Sequence, residues 1–417
     1  MGKQTKTALL FLILYGTMLL FGYTENLRGV SYPLIKTEFG ISYEQQGVMV
    51  SMLSLSYMLF CLAGGIILGR FGVKKAFITG YVVLFLGLTG IFFMPGFFSA
   101  AAALFMVFAG FGLFEVGINA LATQVFTSRA ALLMSLLHFF YGAGSSLSPR
   151  IAGTLAAALG WRYIYLLAIP LALVFFVPSA LARFPKAEEE LQKTENKKTG
   201  FFTALKTPMV WVFAAVLGLM VAVESCSTNW AGLYFQDVYQ LDPKTTGAAF
   251  ISNFFIFFTV SRLLSGFAIE KIGYMRSLYI AAALTFFIFL SGFFLGPKGI
   301  YILPGLGFFV AIFWPTLLAT AMGYFGKDAP VMTSAIIVIA GALNSFIQYL
   351  IGLTNRLIGP AWGYRSCLLY SVLAIAALIV LSRRLRRPYI RNSGRGGCNS
   401  SREQQAQTAA LTANNPE

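Results

Sequence analysis

Twelve apolar runs, most of 20 residues or more and separated by short polar breaks, stretch from about residue 8 to residue 384. Runs of that length match the hydrocarbon thickness of a bilayer, and a soluble core has no use for a dozen of them. They fall at 8–32, 46–68, 76–94, 98–124, 131–158, 162–182, 209–235, 246–268, 277–296, 299–324, 331–356 and 363–384. In lipid each backbone N–H and C=O must be bonded within its own segment, so every run is expected to be a helix. The expected fold class is an all-α membrane protein. Composition agrees, with 58% hydrophobic and 11% charged residues, about half the charged share of a soluble domain.

A net charge of +16 raises the question of nucleic acid, but the basic residues form no continuous face. They sit between the apolar runs and at the chain ends, as membrane topology requires. Lys3, Lys6, Arg70, Lys74, Lys75, Arg129, Lys271, Arg276, Lys327 and the Arg383–Arg387 cluster fall on one side. Few bases, among them Lys36, Arg162, Lys244 and Lys298, fall on the other. The excess predicts that both termini lie in the cytoplasm. The first run continues into a full-length span, so no cleavable signal peptide is expected.

The long polar insert around residues 183–208, with Lys186, Glu188, Glu189, Glu190, Lys197 and Lys198, reads as a linker between two six-helix halves, 1–182 and 209–385. The end, 386–417, is rich in Ser, Gln, Asn and Gly and reads as a disordered tail. Cys61, Cys226, Cys367 and Cys398 show no spacing typical of a disulfide framework or metal site, and His138 is the lone histidine. Neither a metal nor a cofactor is expected. Phosphate-binding loops and nucleophile–base pairs are absent, so the sequence does not read as an enzyme.

An internal repeat is the most informative pattern. Gly65-Ile-Ile-Leu-Gly69-Arg70-Phe-Gly72-Val-Lys74-Lys75 returns as Gly266-Phe-Ala-Ile-Glu270-Lys271-Ile-Gly273-Tyr-Met-Arg276. Gly160-Trp161-Arg162 returns as Gly363-Tyr364-Arg365, and Gly110-Phe-Gly112 as Gly305-Leu-Gly307. All three pairs are offset by roughly 200 residues, as two parallel repeats with a cavity between them would be.

These residues resemble the major facilitator superfamily, whose signature loop G-x-x-x-[D/E]-[R/K]-x-G-x-x-[R/K] follows the second and eighth spans. The resemblance covers residues 8 to 385 and implies two pseudo-symmetric bundles that alternate access to a central site. It also implies a conformational latch at Gly65, Arg70, Gly72, Gly266, Glu270, Lys271, Gly273 and Arg276. The first copy departs from the pattern, with Gly69 where the acid belongs.

Gly110 to Asn119, Leu137 to Gly144, Asn26-Leu27-x5-Pro33 and Glu224-x5-Trp230-x3-Tyr234-Phe235 resemble the fucose:proton symporter branch of sugar transporters. That branch implies a sugar and a proton as cargo, and it makes Glu115 the proton carrier. The branch's first-span acid falls at Gly29 here, and Glu25 stands one turn earlier.

Acids within apolar spans point to the same chemistry. A charge at the bilayer centre costs at least about 2.5–3.5 kcal/mol and needs a partner, a cavity or a purpose. Glu115 has no base within a helical turn, and a carboxyl so placed can load and release a proton. Glu25 falls, at the repeat offset, on Ser225 or Cys226 beside Glu224, and Arg28 is one turn from Glu25. Asn119, Asn229, Trp230, Tyr234, Trp314, Asn344 and Gln348 supply the amides and rings suited to a sugar's polar edges and apolar faces. His138 is read as packing within the fifth span, and Arg262 as a brace near the cytoplasmic end of the eighth.

The function expected is proton-coupled transport of a small polar solute, a sugar foremost, across the cytoplasmic membrane. The partners expected are the solute, the proton and the lipid bilayer, and the chain is expected to be a monomer with no nucleic-acid partner. A proton-driven exporter of drugs or amphiphiles, favoured by 41 Phe, and a non-transporting sensor are the alternatives.

Overall fold

A computed structural model describes residues 3–126, 130–185 and 201–386. The charged part of the linker, Arg129, and the tail from Arg387 lie outside the described residues.

The first crossing is a helix broken in two, α1 (Lys3–Asn26) and α2 (Arg28–Phe39). It is followed by α3 (Tyr43–Phe71), α4 (Val73–Phe93), α5 (Phe97–Val125), α6 (Ala130–Leu159) and the pair α7 (Trp161–Leu166) and α8 (Ala168–Leu181). The second half repeats the plan. Another broken pair, α9 (Pro208–Asn229) and α10 (Ala231–Tyr239), leads to α11 (Ala248–Ile272), α12 (Tyr274–Phe294), α13 (Phe313–Phe325), α14 (Ala329–Ile358), α15 (Pro360–Arg365) and α16 (Cys367–Leu385). Ten stretches are long and apolar enough to cross a membrane. One of them, the 63 residues Gly296–Ile358, turns back at Gly326–Asp328 and holds two crossings. The 30-residue α6 makes the twelfth. No strand occurs among the described residues. Large apolar side chains such as Phe98, Leu181, Phe267 and Phe294 are more than 70% exposed, which suits a surface solvated by lipid rather than water.

The repeat is legible in helix lengths. Both α4 and α12 have 21 residues, and both α6 and α14 have 30. In both signature loops a glycine makes the turn, Gly72 at φ 81° and Gly273 at φ 90°. A side chain there would meet the strain of the left-handed region, which explains why the loop needs glycine. Two sequence matches shift when read against the helices. The residue that opens the short helix as Gly160 does is Gly359, one turn before Gly363. The breaks at Leu27 and Trp230 pair Asn26 with Asn229, so Glu25 corresponds to Thr228 rather than Ser225 or Cys226. A sequence match of three residues tolerates such a one-turn slip, because a helix returns to the same face every three or four residues.

Buried side chains form two cores. One draws on Leu10 to Ala182 with Ala248, and the other on Ala204 to Leu381. Close helix approach within each depends on small residues. A Cβ on Gly112 would lie 2.4 Å from the Tyr57 carbonyl oxygen, and one on Gly307 would lie 2.1 Å from that of Phe254. The two glycines thus do the same job in each half. Leucine at either position is expected to cost about 1–3 kcal/mol through overpacking, read as a lower unfolding temperature in detergent. Leucine at the open position Gly65, where a Cβ has no neighbour within 4 Å, should leave that temperature unchanged. Cys226 and Cys367, unpaired in the sequence reading, are brought together as a disulfide between α9 and α16.

The halves meet chiefly where α3 crosses α14 and α6 crosses α11. Among the described residues the polar contacts between them gather toward one end. Ser51 donates to the Ser345 carbonyl at 2.6 Å, Arg150 to Asn253 at 2.9 Å and Tyr43 to Asp237 at 2.5 Å. Lys36 lies 3.7 Å from Asp237, and Arg356 pairs with Glu44. Gly47 and Gly352 touch backbone to backbone there. At the opposite end Gly65, Gly69 and Gly266 have no atom within 4 Å of an added Cβ, and Arg70, Glu270 and Lys271 are exposed. The molecule is therefore closed at the end bearing Gly40, Gly160 and Gly359 and parted at the end bearing Gly72 and Gly273.

Candidate functional site

Below the closed end, near the middle of the helices, the three acids converge. Glu25 stands two residues before the break between α1 and α2 at Leu27. Its Oε1 is 3.0 Å from Arg28 Nη2, and its Oε2 accepts from the Tyr141 hydroxyl at 2.7 Å. An arginine and a tyrosine from two elements thus hold one carboxylate. The Arg28 guanidinium also lies over the Phe108 ring at 5.5 Å. Asn26 explains part of the break. Its amide donates to the Gly22 carbonyl and to Ser145 Oγ, both at 3.0 Å, and side-chain competition of this kind loosens a helix.

Glu115 lies in α5, where its Oε1 accepts from Asn119 Nδ2 at 3.0 Å. Asn119 also donates to the Glu115 backbone carbonyl at 2.8 Å. Glu224 lies in α9. Among the described residues its carboxyl accepts no hydrogen bond, and it remains partly open to water. The acids come from helices far apart in sequence, yet Glu115 and Glu224 both lie within electrostatic reach of Glu25.

The structure adds to the sequence reading of two residues. Arg262 lies ten residues before the C-terminal end of α11 (Ala248–Ile272). Its charge acts on Glu224, Glu115 and His138, and its guanidinium lies over the Phe258 ring at 4.4 Å. His138, in α6, lies within electrostatic reach of Arg262. Tyr141 was missed as a ligand of Glu25. The available signal was an arginine inside an apolar run, four residues from Gly266, and its neighbours on other helices could not be read from the chain.

Four of the seven amide and aromatic candidates form one buried network in the second half. Trp230 Nε1 donates to Gln348 Oε1 at 2.8 Å, Asn229 Nδ2 approaches the same oxygen at 3.5 Å, and Gln348 Nε2 donates to Asn344 Oδ1 at 3.2 Å. The i, i+4 spacing of Asn344 and Gln348 puts both on the face of α14 that meets α9. Asn119 instead belongs with Glu115. Tyr234 stacks on Tyr364 at 4.7 Å and shares a hydrogen bond with Tyr239 at 3.0 Å, toward the closed end. Trp314 packs against the second core and takes no part in the network. A groove of about 690 Å³ at the closed end, lined by Arg150, Gly153, Thr154 and Lys244, contains none of the acids.

Titratable carboxyls deep in an apolar body, with amides and rings beside them, are the kinds of group that can take up a proton or hydrogen-bond a small solute. The sequence pattern of residues 14–349 matches the family described as the Major Facilitator Superfamily. The chain belongs to the major facilitator superfamily. It is a multi-pass membrane transporter and not an enzyme. A probable sulfoacetate transporter of Cupriavidus necator is 25% identical over 80% of this chain and 85% of its own length. The L-fucose-proton symporter of Escherichia coli is 23% identical over 81% of this chain and 84% of its own. The crystal structure of the Escherichia coli fucose:proton symporter shares the fold, with a TM-score of 0.65, 17% identity, and coverage of 91% of this chain and 99% of that one.

Proposed function

We propose that this transporter moves a small polar solute together with a proton by alternating access. The convergence of Glu25, Glu115 and Glu224 around a water-reachable centre supports this reading most directly. Glu115 is the proton carrier: its carboxyl is held by the neutral side chains of Asn119 and Tyr57, with no base paired to it among the described residues. Glu25, held by Arg28 at 3.0 Å and by the Tyr141 hydroxyl at 2.7 Å, is the second acid of the site and positions both partners. Asn229, Trp230, Asn344 and Gln348 form the buried polar network that backs the solute site. A sugar is the cargo in the branch that the sequence resembles, and the L-fucose-proton symporter relative supports that choice. The charged centre speaks against an exporter of apolar drugs.

The moving parts are residues 1–182 and 209–385, joined by the linker 183–208 and followed by the tail 386–417. The charge bias sets both termini in the cytoplasm of a cell whose plasma membrane holds the protein. The closed end then faces outward, and the structure is inward-facing. The signature residues Gly65, Arg70, Gly72, Gly266, Glu270, Lys271, Gly273 and Arg276 form the inner latch, and Gly65, Arg70, Gly266, Glu270 and Lys271 are exposed in this state.

The test uses purified protein in liposomes loaded with a pH dye. Solute-dependent acidification of the lumen establishes proton symport. Solute uptake without acidification, even when the membrane potential is clamped, overturns it.

The outer end carries its own prediction. Arg356 is more than half exposed, so its pair with Glu44 is worth about 0.2–1 kcal/mol. Glu44→Gln should therefore shift the balance toward the outward-open state by no more than about fivefold. Restoring the pair in reverse, with Glu44→Arg and Arg356→Glu together, should recover uptake. A double variant that stays as impaired as the single one would remove the pair from the gate.

A further inference from the structure

We infer that the solute carries an anionic group, a carboxylate or sulfonate, which the Arg262 guanidinium holds. This rests on the transport reading and gives its substrate a chemical class. A guanidinium offers five donors in a planar fork, and leaving it unpaired deep in a protein is costly. Among the described residues Arg262 makes no ion pair within 4.0 Å and no hydrogen bond, and its Nε is buried without a partner. Its one close companion is the Phe258 ring, which supports the cation from one face and leaves the fork's edge free.

The other charges near the centre are differently disposed. Arg28 is bound to Glu25 at 3.0 Å, and Glu115 accepts from Asn119 at 3.0 Å. Glu224 faces water within electrostatic reach of Arg262. His138, from α6, also feels the Arg262 charge. When Glu115 and Glu224 are protonated, Arg262 is left as an uncompensated positive charge in the middle of the molecule. When they are ionised, they offset Arg262 and repel a second anion. Anion binding and proton loading thus favour each other, and the coupling is reciprocal by thermodynamic necessity. A fork of parallel N–H groups matches two oxygens of one carboxylate or sulfonate, which a neutral sugar hydroxyl does not supply.

The test compares matched solutes on the full-length protein in detergent: D-galactose with D-galacturonate, D-glucose with D-glucuronate, and sulfoacetate alone. Binding is read as a ligand-dependent rise in unfolding temperature and as a titrated affinity. At least one anion is expected to bind the wild type, and its neutral counterpart to bind at least tenfold more weakly. Arg262→Gln should weaken that anion at least a hundredfold, and Arg262→Lys should keep part of the affinity. A residue that serves only to balance Glu115 and Glu224 would weaken neutral and anionic solutes alike on substitution.

A neutral sugar binding as well as its acid overturns the inference. So does anion binding that Arg262→Gln changes less than threefold, or silence from every anion. Should Arg262→Gln fail to fold, the wild-type comparison and Arg262→Lys decide alone. The liposome assay separates the two ideas. Neutral sugar that carries protons keeps the transport reading and sinks this one. Anion bound through Arg262 without proton movement does the reverse.

Discussion

Replacing Glu115 with Gln is expected to abolish uphill accumulation while sparing downhill movement. With an inward proton gradient of two pH units, a one-proton symporter can hold about a 100-fold solute gradient, equivalent to ~2.7 kcal/mol. Gln keeps the shape of the carboxyl and its hydrogen bond with Asn119 but cannot exchange the proton. The inside-to-outside ratio should therefore fall from about 100 to about 1. Exchange of labelled for unlabelled solute across the same membrane needs no net proton transfer and should persist. Solute accumulation and lumenal pH, measured together, decide the matter. Accumulation that survives in Glu115→Gln and is lost in Glu224→Gln would move the carrier to α9, where the carboxyl is unbonded and open to water.

The second large effect is expected at the crossing of α3 and α14. A Cβ on Gly352 would lie 2.7 Å from both the Gly47 Cα and the Tyr43 carbonyl oxygen. Two backbones this close leave no room for a side chain, so Gly352→Leu must part the helices at the closed end. Overpacking of about 1–3 kcal/mol acts on this state alone if the opposite state separates these glycines. The balance between states then moves by about 5-fold to 150-fold toward outward-open. Spin labels report it directly, on Phe98→Cys with Leu357→Cys at one end and on Phe71→Cys with Phe267→Cys at the other. All four sites are exposed by 56–80%, and Cys61 and Cys398 would be replaced beforehand. The first distance should lengthen and the second shorten, with uptake reduced. Unchanged distances would mean that this contact packs the molecule without gating it.

Both predictions depend on parts that the sequence discloses unequally. The crossings and their direction of travel are local properties. A run of apolar residues fixes a helix in lipid whatever surrounds it, and a glycine at positive φ ends α3 and α11 in the same way. Glu25, Glu115 and Glu224 were also conspicuous without any structure, because an acid inside an apolar run is costly and rare. Asn344 and Gln348 could be paired by helical spacing alone.

What the chain could not disclose is which faces meet. Arg262 read as a helix-end brace because hydropathy sees only its neighbours along α11. Glu115, Glu224 and His138, which lie within its electrostatic reach, come from three other helices. Tyr141 reaches Glu25 across more than 100 residues of chain for the same reason. Trp314 and Tyr234, chosen by residue type, are placed by packing in other regions. Even the repeat, obvious at an offset of about 200 residues, slipped by a turn until helix ends set its register. The sequence by itself determined the membrane fold, the family and the acids in the spans. Only the tertiary structure decided how those acids combine with Arg262 and Tyr141, and which end of the molecule is shut. The physical reason is that lipid selects helices one at a time, whereas contacts among them follow from where small residues let backbones approach.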